Sequence, residues 1–268
     1  MNRIERRFKE LKRKGECALI PFVTAGDPDP GATVEVVLEM ASQGADIIEL
    51  GLPFSDPLAD GPTIQAASFR ALESGMNTEL YFDVVRRIRK RSDIPLVLMG
   101  YYNPVLRMGL DEFASRASEA GIDGTIIPDL PLEEADAWRK AARAKGLCNI
   151  LLVAPNTPVD RVKRIAKAST GFIYYVSVLG ITGARAELPR ELAQGLKSVK
   201  EYSKRPVAVG FGISKPEQVR GLRSVADGII VGSAIVKMFY EESEKNGLGH
   251  AVQAVGDFVR SLKEATRK

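Results

Sequence analysis

Three carboxylates stand close together in the stretch IIELGLPFSDPLADGPTIQ, from Ile47 to Gln65. Glu49 ends a short apolar run. Asp56 and Asp60 follow in a loop crowded with Gly and Pro, and a helical pattern starts at Pro62. A carboxylate at the end of a buried strand is costly unless it is paired, hydrated or used. Two or three of them on one strand-loop unit can divide the roles of general acid and general base. Glu49 and Asp60 are the main catalytic candidates. Strand alternation puts Glu49 on the face opposite Ile48 and Leu50, so it faces inward if those two meet helices. The competing reading is a structural carboxylate bonded to loop amides, which fits Asp56 better.

Two glycine-containing loops near the end of the chain carry a second kind of chemistry. Gly210-Phe211-Gly212-Ile213-Ser214 and Gly232-Ser233-Ala234-Ile235 each stand between a strand-like run and a helix start. Glycine lets backbone approach an anion, and helix-start N–H groups point at it, so the pair reads as a phosphate site. The alternative is two tight strand-to-helix turns. Gly180-Ile181-Thr182-Gly183 could complete the cradle. It lies in the long connection Ser177–Pro189, where roughly 2–6 residues are usual. That connection, with Arg185, reads as a lid that excludes water, or else as a surface insertion. Tyr101, Tyr102, Asn103, Tyr174, Tyr175 and Phe22 lie at strand ends. They could line a pocket for a flat, partly apolar substrate, or pack the rim.

Composition removes several alternatives. The chain has one histidine, His250, near its end. A Ser-His-Asp triad, a His-rich zinc site and a His general base are therefore disfavoured, and no metal site is expected. Cys17 and Cys148 sit in apolar runs and read as reduced core residues. The net charge of +4 is mild, with basic residues concentrated at both ends. Ile4, Phe8 and Leu11 recur at helical spacing among the N-terminal basic residues. They predict an extra amphipathic helix with a solvated basic face rather than a nucleic-acid arm. No apolar run reaches the roughly 18 residues of a membrane span and no signal-peptide pattern is present, so the expected location is cytoplasmic.

The elements that must position these residues alternate along the chain. Strand-like runs are Ala18–Val23, Asp46–Leu50, Leu96–Met99, Gly124–Ile127, Ile150–Val153, Phe172–Val176, Val207–Val209 and Gly228–Val231. They are continuously apolar, as in a parallel sheet buried on both faces. Helical patterns lie between them, at Gly31–Gln43, Thr78–Arg91, Leu110–Ala120, Leu132–Lys145, Val159–Ala168, Leu188–Ser203 and Lys215–Ser224. A last helix is expected near Ala251–Glu264. About eight such units in 268 residues predict an α/β fold, a single-domain TIM (β/α)8 barrel spanning 1–268. The alternative, a doubly wound open sheet, lacks its GxGxxG after the first strand. In a TIM barrel the polar clusters named above would all fall at the C-terminal ends of the strands, where active sites lie.

Seven stretches carry a resemblance. They are PFVTAGDP (Pro21–Pro28), ELGLPFSDPLADGPTIQ (Glu49–Gln65), MGYYNP (Met99–Pro104), IIPDLP (Ile126–Pro131), GITGAR (Gly180–Arg185), GFGIS (Gly210–Ser214) and GSAIVK (Gly232–Lys237). Together, and in this order, they resemble the tryptophan synthase alpha subunit family. The resemblance implies retro-aldol cleavage of indole-3-glycerol phosphate to indole and glyceraldehyde 3-phosphate. It implies Glu49 as acid/base, Asp60 as acceptor of the indole N–H, and Tyr174 as a substrate-placing residue. Thr182 would bond Asp60 on lid closure. Gly183, Gly212, Gly232 and Ser233 would hold phosphate, and Phe22, Met99 and Phe211 would line the indole pocket. The implied partner is a tryptophan synthase beta subunit in an alpha-beta-beta-alpha complex, approached by loops bearing Pro53, Asp56, Pro57, Asn103 and Pro104. Pyridoxal phosphate would belong to that partner, with no cofactor in this chain. Val178-Leu179 departs from the more polar residues some members carry, which bears on lid closure. Other readings are a free-standing indole-releasing lyase, a non-catalytic regulatory subunit of beta, and another phosphosugar barrel.

Overall fold

Short runs of β-branched and apolar residues bounded by Gly, Pro and Asp form the strands, and amphipathic runs form the helices between them. The computed structural model describes residues 1–176, 190–210 and 212–267. The order is α1 (Arg3–Lys14), β1 (Ala18–Thr24), α2 (Pro30–Ser42), β2 (Ile48–Gly51), α3 (Pro62–Glu73), α4 (Thr78–Arg89), β3 (Leu96–Met99), α5 (Tyr102–Met108), α6 (Leu110–Ala120) and β4 (Gly124–Ile126). It continues with α7 (Asp136–Ala144), β5 (Cys148–Val153), α8 (Val159–Ala168), β6 (Ile173–Val176), α9 (Arg190–Tyr202), β7 (Val207–Gly210), α10 (Pro216–Leu222), β8 (Gly228–Val231), α11 (Ser233–Asn246) and α12 (Leu248–Thr266). The strands form a closed parallel barrel in sequence order, β8 pairing back to β1.

Strand parity separates two cores. Leu19, Val23, Ile48, Leu50, Leu96 and Leu98 point outward and pack with helix residues such as Val37, Tyr81, Phe113 and Trp138. Ile20, Ile47, Val97, Ile126, Ile150, Ala208 and Ile230 fill the lumen, together with Ile4, Phe8 and Leu11 of α1. The N-terminal helix therefore plugs the foot of the barrel, the end where the strands begin.

The foot is tied by a repeated device. The N–H of Asp46 donates to Leu19 O while its Oδ2 accepts from Leu19 N, at 2.9 and 2.7 Å. Asp123 makes the same pair of bonds with Leu96 (2.8 and 2.9 Å), and Asp227 with Val207 (both 2.9 Å). Thr170 does so with Asn149 through its hydroxyl (2.9 and 2.7 Å). Each even strand is thus stapled to the start of the odd strand before it. Buried backbone donors that lie beyond the ladder are satisfied by these side chains.

The expected solvated basic face of α1 is exposed at Arg6, Lys9, Lys12, Arg13 and Lys14, while this device takes up Arg3 and Arg7. Arg7 pairs with Asp46 at 2.7 Å and Arg3 with Asp123 at 3.1 Å, so two of its cations neutralise the strand-entry aspartates. Lys263 of α12, itself buried, reaches Asp46 at 2.9 Å. Cys17 and Cys148 are buried and free, as expected, and His250 is exposed on α12.

Helix boundaries differ from expectation where side chains intervene. Tyr102–Met108 forms a helix that periodicity had not indicated, and the Asp129 carboxylate accepts from Tyr102 N at 2.9 Å at its start. The pattern expected from Leu132 becomes helical at Asp136, because residues 131–135 first make tight turns (Glu134 N to Pro131 O, 3.0 Å). Ser233–Asn246 is a full helix before the last one. Among the described residues no helix is long and apolar enough to cross a membrane.

Candidate active site

Glu49 sits on β2 opposite Phe22 of β1 and Val97 of β3. Its neighbours Ile48 and Leu50 pack outward, so its side chain faces the barrel interior. It is 2 % exposed, and its Oε2 has no hydrogen-bond partner among the described residues. Burial, and secondarily the charge of Asp60, push its pKa up to about 8. At neutral pH this group is predominantly a carboxylic acid holding a proton in an apolar setting.

Asp60 lies in the loop between β2 and α3. The loop is folded on itself by Asp60 N to Pro57 O (2.9 Å) and by Gln65 Nε2 to Asp60 O (2.9 Å). Tyr101, at the end of β3 and stacked on Phe54 with ring centroids 5.2 Å apart, fixes it from the side. Its hydroxyl donates to Asp60 Oδ2 and accepts from Ala59 N, both at 3.0 Å. Burial raises the Asp60 pKa, and the Tyr101 hydrogen bond opposes that rise. Asp56 does not take the amide-bonding role expected of it. It is exposed and accepts from Ser55 Oγ at 2.6 Å, while the loop amide of Ala59 is held by Tyr101.

Both carboxylates open into one cavity of about 430 Å³ at the C-terminal mouth of the barrel. Phe22, Met99 and Tyr174 line it as expected. Burial, followed by the charges of Glu49 and Asp60, holds the Tyr174 phenol well above its ordinary pKa. A Cβ on Gly210 would stand 2.5 Å from Tyr174 Oη, so glycine there leaves room for the ring. The other strand-end tyrosines do not line the pocket. Tyr101 stands behind Asp60, and Tyr175 points outward into the helix-facing core.

Ile126, Leu152 and Ile230, with Ile64, Val176 and Ile213, extend the apolar wall and were missed in the sequence. For the strand residues the signal was register. Leu152 pairs with Tyr174, and each shares the parity of an inward residue once the barrel is closed. The short apolar runs gave no reason to separate them from outward neighbours.

Gly212, Ser214, Gly232, Ser233 and Lys237 also line the cavity. Gly212 adopts φ +76°, a left-handed conformation that favours glycine. The helix starting at Ser233 has its first helix-entry bonds at Ile235 and Val236, both to Gly232 O. The N–H groups of Ser233 and Ala234 therefore precede the ladder and are available to an anion. The other expected helix start is met, with α10 beginning at Pro216 and capped by Lys215, but Gln218 Oε1 already accepts from Ser214 N and Lys215 N at 2.8 and 3.0 Å. Thr182, Gly183 and Phe211, and the expected lid around them, lie outside the described residues.

This arrangement offers a protonated carboxyl, a second carboxylate, an apolar slot and a set of anion donors in one chamber. Such a chamber suits proton transfer to carbon in an anionic aromatic substrate. The sequence model of the tryptophan synthase alpha chain family matches residues 8–267. The alpha chain of Picosynechococcus sp. is 48% identical over 266 residues, covering 99% of both chains. That of Caldanaerobacter subterraneus subsp. tengcongensis is 48% identical over 98% of this chain and 99% of its own. The crystal structure of tryptophan synthase subunit alpha from Legionella pneumophila superposes with a TM-score of 0.92 at 40% identity, covering 99% of this chain and 98% of that one. A chain of the tryptophan synthase a2b2 complex of Pyrococcus furiosus superposes with a TM-score of 0.85 at 42% identity, covering 93% and 98%. Likeness of this extent, running from the plugged foot to the mouth of the barrel, means that the chain belongs to the tryptophan synthase alpha chain family.

Proposed function

We propose that this chain cleaves indole-3-glycerol phosphate to indole and glyceraldehyde 3-phosphate, a carbon-carbon lyase step in tryptophan synthesis. The observation that carries the reading is the buried, unpartnered Glu49 carboxyl sharing an apolar cavity with Asp60. An aromatic ring resists loss of a carbon substituent until a proton is added at the carbon bearing it. Glu49, protonated near neutrality, delivers that proton to indole C3. Asp60 accepts from the indole N–H and stabilises the positive charge that develops on nitrogen. The Glu49 carboxylate then takes the proton of the hydroxyl on the adjacent glycerol carbon. That carbon becomes an aldehyde as the C–C bond breaks, and its electrons restore the ring. One proton is given and one recovered, so Glu49 ends as it began.

In this reading Tyr174 places the substrate, and Phe22, Met99 and Phe211 hold the indole. Gly183, Gly212, Gly232 and Ser233 hold the phosphate, with Thr182 bonding Asp60 in the closed site. The roles of Thr182, Gly183 and Phe211 rest on motif match alone. The chain acts as one domain, 1–268, in the cytoplasm, with no cofactor of its own. Its partner is a beta subunit in an alpha-beta-beta-alpha complex, and pyridoxal phosphate is that partner's. Exposed Leu58, on the loop between β2 and α3, and Leu106, on α5 after β3, support such a surface at 92% and 53% exposure. Pro53 is buried and would act through the loop it shapes.

The test is release of glyceraldehyde 3-phosphate from indole-3-glycerol phosphate, with and without a beta subunit. Slow release alone and faster release with beta is the expected result. Equal rates would point to a free-standing lyase, and no release in either would overturn the catalytic assignment.

A further inference from the structure

The segment Gly232–Lys237 ends in a lysine that the proposed reaction has not used. α11 starts at Ser233, and Lys237 follows one turn later on the same helix face. Lys237 lines the same cavity as Glu49, Asp60 and Ser233. Among the described lining residues it is the one cation, whereas Glu49 and Asp60 are acids. Its ion-pair partner, Glu241, is 3.9 Å away, and the two side chains are 65% and 47% exposed. A pair this long and this exposed holds its ammonium weakly. An anion entering a chamber that already holds the Asp60 carboxylate needs compensation. The first-turn N–H groups of α11 supply partial charges, and a full charge one turn along adds to them.

We propose that Lys237 is a substrate-binding residue whose ammonium swings from Glu241 to the phosphate held at the first turn of α11. It thereby selects a phosphorylated substrate over a neutral one and fixes which end of the cavity takes the anion. The inference rests on the phosphate-ester reading above and adds the group that discriminates charge.

The first probe is glycerol 3-phosphate, titrated calorimetrically into the full chain, so that binding is read without turnover. K237M is expected to bind about fivefold more weakly than wild type, the scale of an exposed ion pair. K237R is expected to bind nearly as well as wild type, and E241Q somewhat better, because the competing carboxylate is gone. Added salt should weaken wild-type binding more than K237M binding. Equal affinity and equal salt response in wild type and K237M would overturn the proposal, as would no binding by wild type. The second readout is turnover of indole-3-glycerol phosphate, where the change in K237M should fall on KM rather than kcat. Lys237-dependent binding without wild-type turnover would support this inference and reject the lyase reading. Wild-type turnover with an unmoved KM in K237M would do the reverse.

Discussion

The Tyr101 hydroxyl joins two neighbouring points of the loop between β2 and α3, accepting from Ala59 N and donating to Asp60 Oδ2, each at 3.0 Å. A residue on β3's end thereby sets both the position and the charge of an acid on the loop after β2. Y101F keeps the ring and its stack on Phe54 but frees the carboxylate. Loss of a hydrogen bond to a charged group costs about 1.5–3 kcal/mol, so turnover of indole-3-glycerol phosphate should fall roughly 10- to 100-fold. The bond also holds the Asp60 pKa down, so the acid limb of the rate profile should move to higher pH in Y101F. A slower variant with an unmoved acid limb would mean that Tyr101 acts only on loop shape.

Glu49 controls the alkaline side. In the proposed reaction its proton is the one delivered, so kcat/KM should fall as pH rises through about 8. On the acid side the rate falls as Asp60 is protonated. His250, exposed on α12, contributes no limb, and H250N should leave the profile unchanged. E49Q should lower turnover by about 10²–10⁴, the usual contribution of a positioned acid/base. A profile flat between pH 7 and 9 would remove the acid role.

The same carboxyl makes a thermodynamic prediction of definite sign. Its folded pKa, about 8, lies above the ordinary 4.5. Below that ordinary value both folded and unfolded chains hold the proton. Between the two values the folded chain binds more protons, so stability declines as pH rises, and the full penalty is present above the folded pKa. E49Q lacks this penalty. Its melting temperature, relative to wild type, should therefore be higher at pH 9 than at pH 5, and thermal scans at the two pH values check it.

Gly210 faces Tyr174 Oη at a distance that excludes a side chain. In G210A the added methyl would meet Oη at 2.5 Å and Ile230 Cβ at 3.1 Å, so the tyrosine must move into the cavity. Overpacking of this kind costs about 1–3 kcal/mol, and a rise in KM of roughly tenfold is expected. Y174F in the G210A background should recover part of it, since the nearest clashing atom is removed. Unchanged kinetics in G210A would show that the wall yields elsewhere.

At the foot of the barrel, K263M would strip Asp46 of its most buried cation and leave Arg7 alone to neutralise it. Removing one partner of a buried pair costs about 3–5 kcal/mol, moderated here by Arg7. The urea midpoint should drop clearly while turnover at 25 °C persists, because Asp46 lies at the end away from the cavity. Equal losses of stability and of turnover would mean that the foot also shapes the mouth.

The parts legible in the sequence are those governed by near neighbours. Alternation around Glu49, the glycines at 210, 212 and 232, and the apolar runs of the strands follow from local sterics and periodicity. The motif from Glu49 to Gln65 carried Asp60 with it. Those features were enough to place the candidate site at the C-terminal mouth and to name the two acids that share its cavity.

What the tertiary structure decided depends on partners far apart in the chain. Tyr101 reaches Asp60 across 41 positions, and Arg3 reaches Asp123 across 120. The sequence marks neither pair, because an exposed basic helix and a paired one have the same periodicity. Leu152 and Ile230 became cavity wall when strand closure set their parity. The proton on Glu49 is the clearest case. Residue type and position are written locally, but its pKa is set by removal from water, which requires strands and helices from the whole chain to close around one carboxyl.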